Sequence, residues 1–321
     1  MQSTKRKLVL YTVAAIVLLV VIAGSFLIGK SSNKTPVADD KSGDYPLLAK
    51  RIFVNNPSDY IVNFASLRAQ LQDYFTKNKL TGGVYFEYLP TGTSVKIDGA
   101  TLYTAASLIK LPAAMDLYKA SEMGKVSLDK TITLQSDWLD SAYGELYQKG
   151  AGYQLTLKDA TKIMLEDSDN TALRAIGSSV NGLLKPNEQS FNSLDVDLRQ
   201  DQNLKVSVSP MAYSSFLKCL YFACYLNYDH SQEILSYLSN SKFNDRIVAG
   251  VGDKNVKIAH KTGNFEQDTQ SDCGIVYLKD RSYIICAMVK GQDSKITDDH
   301  IAQLSKVVFD FVSAIKGTAN K

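Results

Sequence analysis

Ser107-Leu108-Ile109-Lys110 opens a stretch whose apolar spacing predicts a helix over 107–123. S-x-x-K occurs six times in the chain, also beginning at Ser31, Ser127, Ser215, Ser239 and Ser313. By itself the word is an ordinary helix start followed by a solvated lysine. Two further words occur once each and follow in order: Ser168-Asp169-Asn170 and Lys261-Thr262-Gly263. Alone, the first is a turn between helices and the second a strand end. Only Ser107 combines a plausible helix start with a sensible position relative to both.

The three words suit one chemistry. Thr104 is a candidate N-cap, which places Ser107 in a first turn where free backbone N–H groups and the helix dipole favour a developing oxyanion. Lys110, three residues on, falls on the same face and can serve as base if burial and a nearby cation such as Lys261 depress its pKa. The Ser168 hydroxyl can relay a proton to a leaving amine, and the Asn170 amide can hold a substrate carbonyl. Lys261 and Thr262 suit a carboxylate, and Gly263 lets backbone approach closely. Asn264 would add a second oxyanion N–H beside that of Ser107.

Working outward, periodicity predicts a helix over 57–79, strands over 83–89 and 94–97, and helices over 107–123, 157–166, 171–180 and 210–225. Strands over 256–261, 272–278 and 283–289 follow, the last two a hairpin, and an amphipathic helix over 301–315 closes the chain. The expected fold is α/β (α+β): a five-stranded antiparallel sheet flanked by helices, plus an all-helical subdomain, with the three words at the seam.

Before this domain, residues 1–7 form a basic tail holding Lys5, Arg6 and Lys7, and residues 8–29 carry no charge. At about 1.5 Å per residue that run is long enough to cross a bilayer. Ala23-Gly24-Ser25 offers small residues for cleavage, but the run exceeds the roughly 7–15 residues of a signal-peptide core, so it reads as an uncleaved transmembrane anchor. The basic tail puts the N-terminus in the cytoplasm and the rest outside the cell membrane. Residues 30–46 are polar and read as a flexible tether, leaving 47–321 as the folded domain. A net charge of +3, with basic residues spread along the chain, offers nothing for nucleic acid. No metal or other cofactor is expected, and the domain is taken as a monomer. Cys219 and Cys224, in an apolar helical stretch, read as small buried side chains, whereas Cys273 and Cys286 fall in adjacent strands that would allow a cross-hairpin bond.

On these words the chain resembles the class A β-lactamase-like serine hydrolases over roughly residues 50–318, including the terminal helices and the hairpin that begins Asp272-Cys273-Gly274-Ile275-Val276-Tyr277. The resemblance implies Ser107 as acylated nucleophile, Lys110 as base and Ser168 as proton relay. It further implies Asn170 as substrate contact, Lys261 with Thr262 as carboxylate anchor, and Tyr143 as the aromatic residue at the cleft mouth. One departure stands out. The E-x-x-L-N word that supplies the deacylating glutamate is missing: Glu188 is the only glutamate between Thr171 and Gln232, and Asp195, Asp197 and Asp201 do not match the pattern. Acylation is expected to survive this, and fast hydrolysis is not. Class A-like penicillin-binding proteins, which act on peptidoglycan stem peptides, share that departure and supply the alternative: a D,D-peptidase. A silent cell-wall-binding domain would have no need of Ser107 and Lys110 together. A Ser–His–Asp hydrolase is disfavoured, because His230, His260 and His300 lie near no G-x-S-x-G word; His260 should point away from Lys261 on a regular strand.

Overall fold

The computed structural model describes residues 62–315 apart from 203–204, 266–267 and 292, all within one unit, Tyr60–Thr318. The expected anchor and tether lie outside the described residues. Among the described residues no helix is long and apolar enough to cross a membrane.

The sheet is built from β1 (Thr81–Tyr88), β2 (Thr93–Ile97), β8 (Lys257–Phe265), β9 (Thr269–Tyr277) and β10 (Tyr283–Lys290), in the order β2-β1-β10-β9-β8. All four pairings are antiparallel. In β10, Tyr283, Ile285, Ala287 and Val289 enter one core while Ile284, Cys286 and Met288 enter the other. That strict alternation explains why the strand reads as a continuous apolar run: both of its faces are covered. One face is covered by α1 (Ala65–Lys77), α7 (Ile247–Val251) and α8 (Ser294–Ser313), through Leu67, Leu71, Ile247, Leu304 and Val308.

The other face meets the helical part: α2 (Lys110–Glu122), α3 (Leu157–Glu166), α4 (Asn170–Val180), α5 (Pro210–Tyr221) and α6 (Tyr228–Ser239). Ser209 caps α5, accepting from Ala212 N at 3.1 Å with Pro210 at the first helical position, and Asp169 caps α4. Three short pieces complete this side: β3 (Tyr103–Thr104) pairs with β7 (Val206–Val208), which pairs with β6 (Arg199–Gln200). The segments β4 (Thr131–Thr133) and β5 (Gln154–Thr156) form a separate pair.

Two readings are corrected. Cys219 and Cys224 are bonded to each other rather than being free apolar fillers, and Cys273 is bonded to Cys286 directly across β9 and β10. Thr104 does not cap a helix: it lies in β3 and its hydroxyl donates to Asp268 Oδ2 at 3.1 Å.

Candidate active site

The nucleophile candidate sits at a change of backbone geometry. After β3, Ala106 takes a left-handed φ of 45°, and a 3₁₀ turn, Ala106–Ile109, carries Ser107 before α2 begins at Lys110. A positive φ at a residue other than glycine costs about 1–3 kcal/mol, and such strain gathers at functional positions. Ser168 adopts a second one, φ 54°, between α3 and α4. That turn points both Ser168 oxygens at the same lysine. Lys110 Nζ lies 2.6 Å from Ser168 O, 2.7 Å from Asn170 Oδ1, 2.8 Å from Ser107 Oγ and 3.2 Å from Ser168 Oγ.

Those contacts decide how the free amine would sit. The two nearest oxygens, a carbonyl and an amide oxygen, are pure acceptors and take its two N–H bonds. Its lone pair is then left facing Ser107 Oγ. Burial brings the Lys110 ammonium down to about 8, with Asp169 and Asp140 pulling the other way. Lys261 is fully buried beyond Ser168, with Nζ 2.9 Å from Ser168 Oγ. Burial, then the Lys110 ammonium, holds Lys261 well below the ordinary lysine range. Ser168 Oγ therefore joins two lysine nitrogens, a position from which it can pass a proton.

Lys261, Thr262 and Gly263 lie on β8, an edge strand whose outward N–H groups meet no neighbouring strand among the described residues. A Cβ at Gly263 would lie 2.8 Å from Ala105 O and 3.1 Å from Leu108, so only glycine lets β8 come this close to the nucleophile's turn. Asn264 follows at the cleft mouth. Its Nδ2 donates to Tyr143 Oη at 3.2 Å, and its Oδ1 accepts from Arg246 Nη2. Tyr143 in turn accepts the Asn170 N–H on its backbone oxygen at 3.0 Å. The structure thus gathers Ser107, Lys110, Tyr143, Asn170 and Asn264 around one cleft of about 570 Å³, with Ser168, Lys261, Thr262 and Gly263 buried behind it.

Several contributors carried no signal in the sequence. Arg246 is a lone basic residue before a short apolar run, yet all five of its N–H groups are engaged. Nε donates to Asp298 at 2.6 Å, Nη1 to Ser271 O at 2.6 Å and Gly263 O at 3.2 Å, and Nη2 to Gln270 Oε1 at 2.9 Å besides Asn264. His260 and Asp272 pair at 2.9 Å on the opposite face of the sheet, where Asp272 also accepts the Ile247 N–H. Asp140 receives Asn170 Nδ2 at 3.3 Å and pairs with Arg174. Burial pushes the Asp140 carboxyl up, but the Ala142 N–H, the Asn170 amide and the cations Arg174 and Lys110 outweigh it and hold it below the usual range.

No acidic side chain lines the cleft among the described residues; Ile109 and Leu173 form part of its wall. Of the loop acids, Glu188 pairs with Lys125 and Asp197 with Arg199. Asp201 accepts the Lys205 N–H and borders a second hollow of about 500 Å³ that shares Ala106, Ile109 and Phe265 with the cleft. No group of three or more His, Cys, Asp or Glu side chains is arranged to hold a metal among the described residues.

Known proteins share this arrangement of elements. The chain is 25% identical to PBP-A, with a TM-score of 0.70 over 78% of this chain and 97% of that one; a mutant of PBP-A is known as its acyl-enzyme complex with penicillin G. A β-lactamase from Sphaerobacter thermophilus, 18% identical, has the same fold, with a TM-score of 0.70 over 79% of this chain and all of that one. A β-lactamase of Proteus vulgaris is 24% identical over 229 residues, which are 67% of this chain and 76% of the relative. The Pseudomonas aeruginosa β-lactamase CARB-3 is 23% identical over 71% of this chain and 81% of its own length. A family model described as "Beta-lactamase enzyme family" matches residues 66–312, the span that holds all three words and the sheet that positions them, and on that match the chain belongs to the beta-lactamase enzyme family.

Proposed function

We propose that this protein is a serine acyl-transfer enzyme that opens β-lactams by acylating Ser107, hydrolyses the product slowly, and has acyl-D-alanyl-D-alanine peptides of the cell wall as its natural substrates. The observation that carries the reading is the contact of the Lys110 amine with Ser107, Ser168 and Asn170 at once. Lys110 takes the Ser107 proton, and Oγ attacks the lactam or peptide carbonyl. The backbone N–H groups of Ser107 and Asn264 receive the oxyanion. Ser168 hands a proton to the leaving nitrogen and is resupplied from Lys110 or Lys261. The substrate carboxylate meets Lys261 and Thr262, and Asn170 contacts the acyl side.

Slow hydrolysis follows from the cleft wall. A deacylating water needs a base, and no carboxylate lines the cleft among the described residues, whose wall includes apolar Ile109 and Leu173. This favours a penicillin-binding D,D-peptidase over a fast β-lactamase. An extracytoplasmic, membrane-anchored location agrees with the uncharged run at 8–29 and with two disulfides, which persist in oxidising compartments.

Intact-mass measurement after mixing with a chromogenic β-lactam tests the reading. A long-lived adduct on Ser107 with little colour change is expected, and Ser107→Ala should take up no label. Rapid colour change without an adduct would mean that a base outside the cleft lining serves deacylation.

A further inference from the structure

The end of the sheet opposite the cleft carries features that the acyl-transfer chemistry leaves unused. Strand β8 runs from Lys257 to Asn264 at the cleft mouth, seven steps of about 3.3 Å, so its start lies roughly 23 Å from the site. At that same end β1 finishes at Tyr88, β10 begins at Tyr283 and β9 finishes at Tyr277. Beside Tyr277 stands an aromatic knuckle. Tyr221 closes α5, with its ring centroid 6.2 Å from that of Tyr277, and Phe222, edge-on to Tyr221 at 5.0 Å, is 52% exposed. Ala223 follows with a left-handed φ of 49°, and the Cys219–Cys224 bond locks the turn. Rings held out in water by a cross-linked turn add little to the core, and such exposed apolar patches mark contact surfaces.

Two observations say what covers this one. The first is where the chain enters. Val62 is the first described residue, and Phe64 packs its ring on Phe86, Tyr88 and Phe311, so the preceding residues join the domain at this end. The 32 residues from 30 to 61 separate it from the uncharged run at 8–29. Even fully extended, at about 3.5 Å each, they reach only about 110 Å, so contact with a surface holding that run is an intramolecular event. The second is charge. Lys254, Lys257 and Lys279 are exposed at this end, and Arg281 lies in the β9–β10 turn, against the acids Asp253 and Asp280. Exposed rings flanked by lysines match the interface of an anionic bilayer, where aromatic groups sit at headgroup level and basic side chains gain from the surface potential.

We propose that the Tyr221–Phe222 knuckle and the lysines around it dock on the anionic bilayer that anchors the chain, so that the cleft, at the far end of β8, faces away from the membrane. This rests on the membrane-anchored location put forward above. The docked domain holds one orientation, with Ser107 presented on the wall side of the bilayer.

The test uses the full-length chain in liposomes of anionic phospholipid brominated in the upper acyl chain, since bromine quenches an indole only at contact range. Trp138 is the only tryptophan and lies just before Asp140 and Tyr143, so the wild-type protein reports on the cleft end. Phe222→Trp adds a reporter at the knuckle. Relative to unbrominated liposomes, the emission added by Phe222→Trp should fall at least about twofold, while wild-type emission is unchanged. Combining Phe222→Trp with Lys254→Glu and Lys279→Glu, or raising salt to about 0.5 M, should restore at least about half of the lost emission. Thermal unfolding checks that each variant folds. Equal quenching at both positions overturns the proposal. Quenching at neither also overturns it and leaves the knuckle to a protein partner. Flotation after an alkaline carbonate wash separates the docking from the anchor. A chain that stays with the liposomes without quenching at the knuckle keeps the anchor and loses the docking. One that is quenched before the wash but stripped by it loses the anchor and keeps the docking, and one that never floats loses both.

Discussion

At the residue scale, the protonation of Lys110 gives the chemistry a definite pH sign. Only the free amine can take the Ser107 proton, and burial brings the ammonium down to about 8. Acylation should therefore rise with pH and level off above about 8, a profile read by quenching the β-lactam reaction from mildly acid to alkaline pH; a flat profile would move the base elsewhere. Lys110→Ala should slow acylation by at least about 10²-fold. The same depression acts on stability. Between about 8 and the ordinary value of 10.5 the unfolded chain binds more protons at this lysine than the folded one, so the contribution of Lys110 to stability improves as pH rises through that window. Ser107, Lys110, Ser168 and Lys261 were legible because their spacing follows from local geometry and from three short words. Arg246, Asp140 and the His260–Asp272 pair were not, since each acts through partners remote in the chain: Arg246 meets Asp298 52 positions on. A single charged residue carries no mark of what it will touch.

At the element scale, the proposed chemistry needs β8 in a fixed position as much as it needs the side chains of Lys261 and Thr262. Arg246 ties the end of β8 to β9 and to α8, through Gly263 and Asn264, Ser271 and Gln270, and Asp298 respectively. Removing one partner of a buried pair leaves the other uncompensated, so Arg246→Met should cost about 3–5 kcal/mol in denaturant unfolding. Adding Asp298→Asn should recover part of that loss, and additive losses would show that the pair is not the coupling. The β1/β2 and β9/β10 hairpins and the helix Leu157–Glu166 were visible in apolar periodicity. Helix α6 was missed. Its first turn, Tyr228 to Ser231, is polar, and its buried apolar face is confined to Ile234, Leu235, Tyr237 and Leu238. The short β3, β6 and β7 were equally silent, because strands of two or three residues are defined by tertiary pairing and have no period to detect.

At the scale of the whole molecule, the two disulfides differ in exposure. Cys273 and Cys286 are wholly buried beside β8, where Cys273 faces Lys261 in register, whereas Cys224 is exposed. Reductant followed by alkylation under native conditions should label the Cys219–Cys224 pair first, with the inner pair protected until the protein unfolds; simultaneous labelling would contradict that ranking. Replacing both inner cysteines by alanine should lower stability by about 3 kcal/mol, the chain-entropy expectation for a loop of this size. The order of the sheet has another consequence. The last strand to be synthesised, β10, lies between the first, β1, and β9. A ribosome that has completed β1 and β2 has made only an isolated hairpin, and β9 and β8 have nothing central to rest on until Lys290 emerges. Such long-range pairing is slow and leaves strand edges open meanwhile. The nascent polypeptide thus has no half-built cleft: the site is absent throughout elongation and forms in a single late step, so a fragment ending before β10 should neither react with a β-lactam nor stay soluble without chaperones.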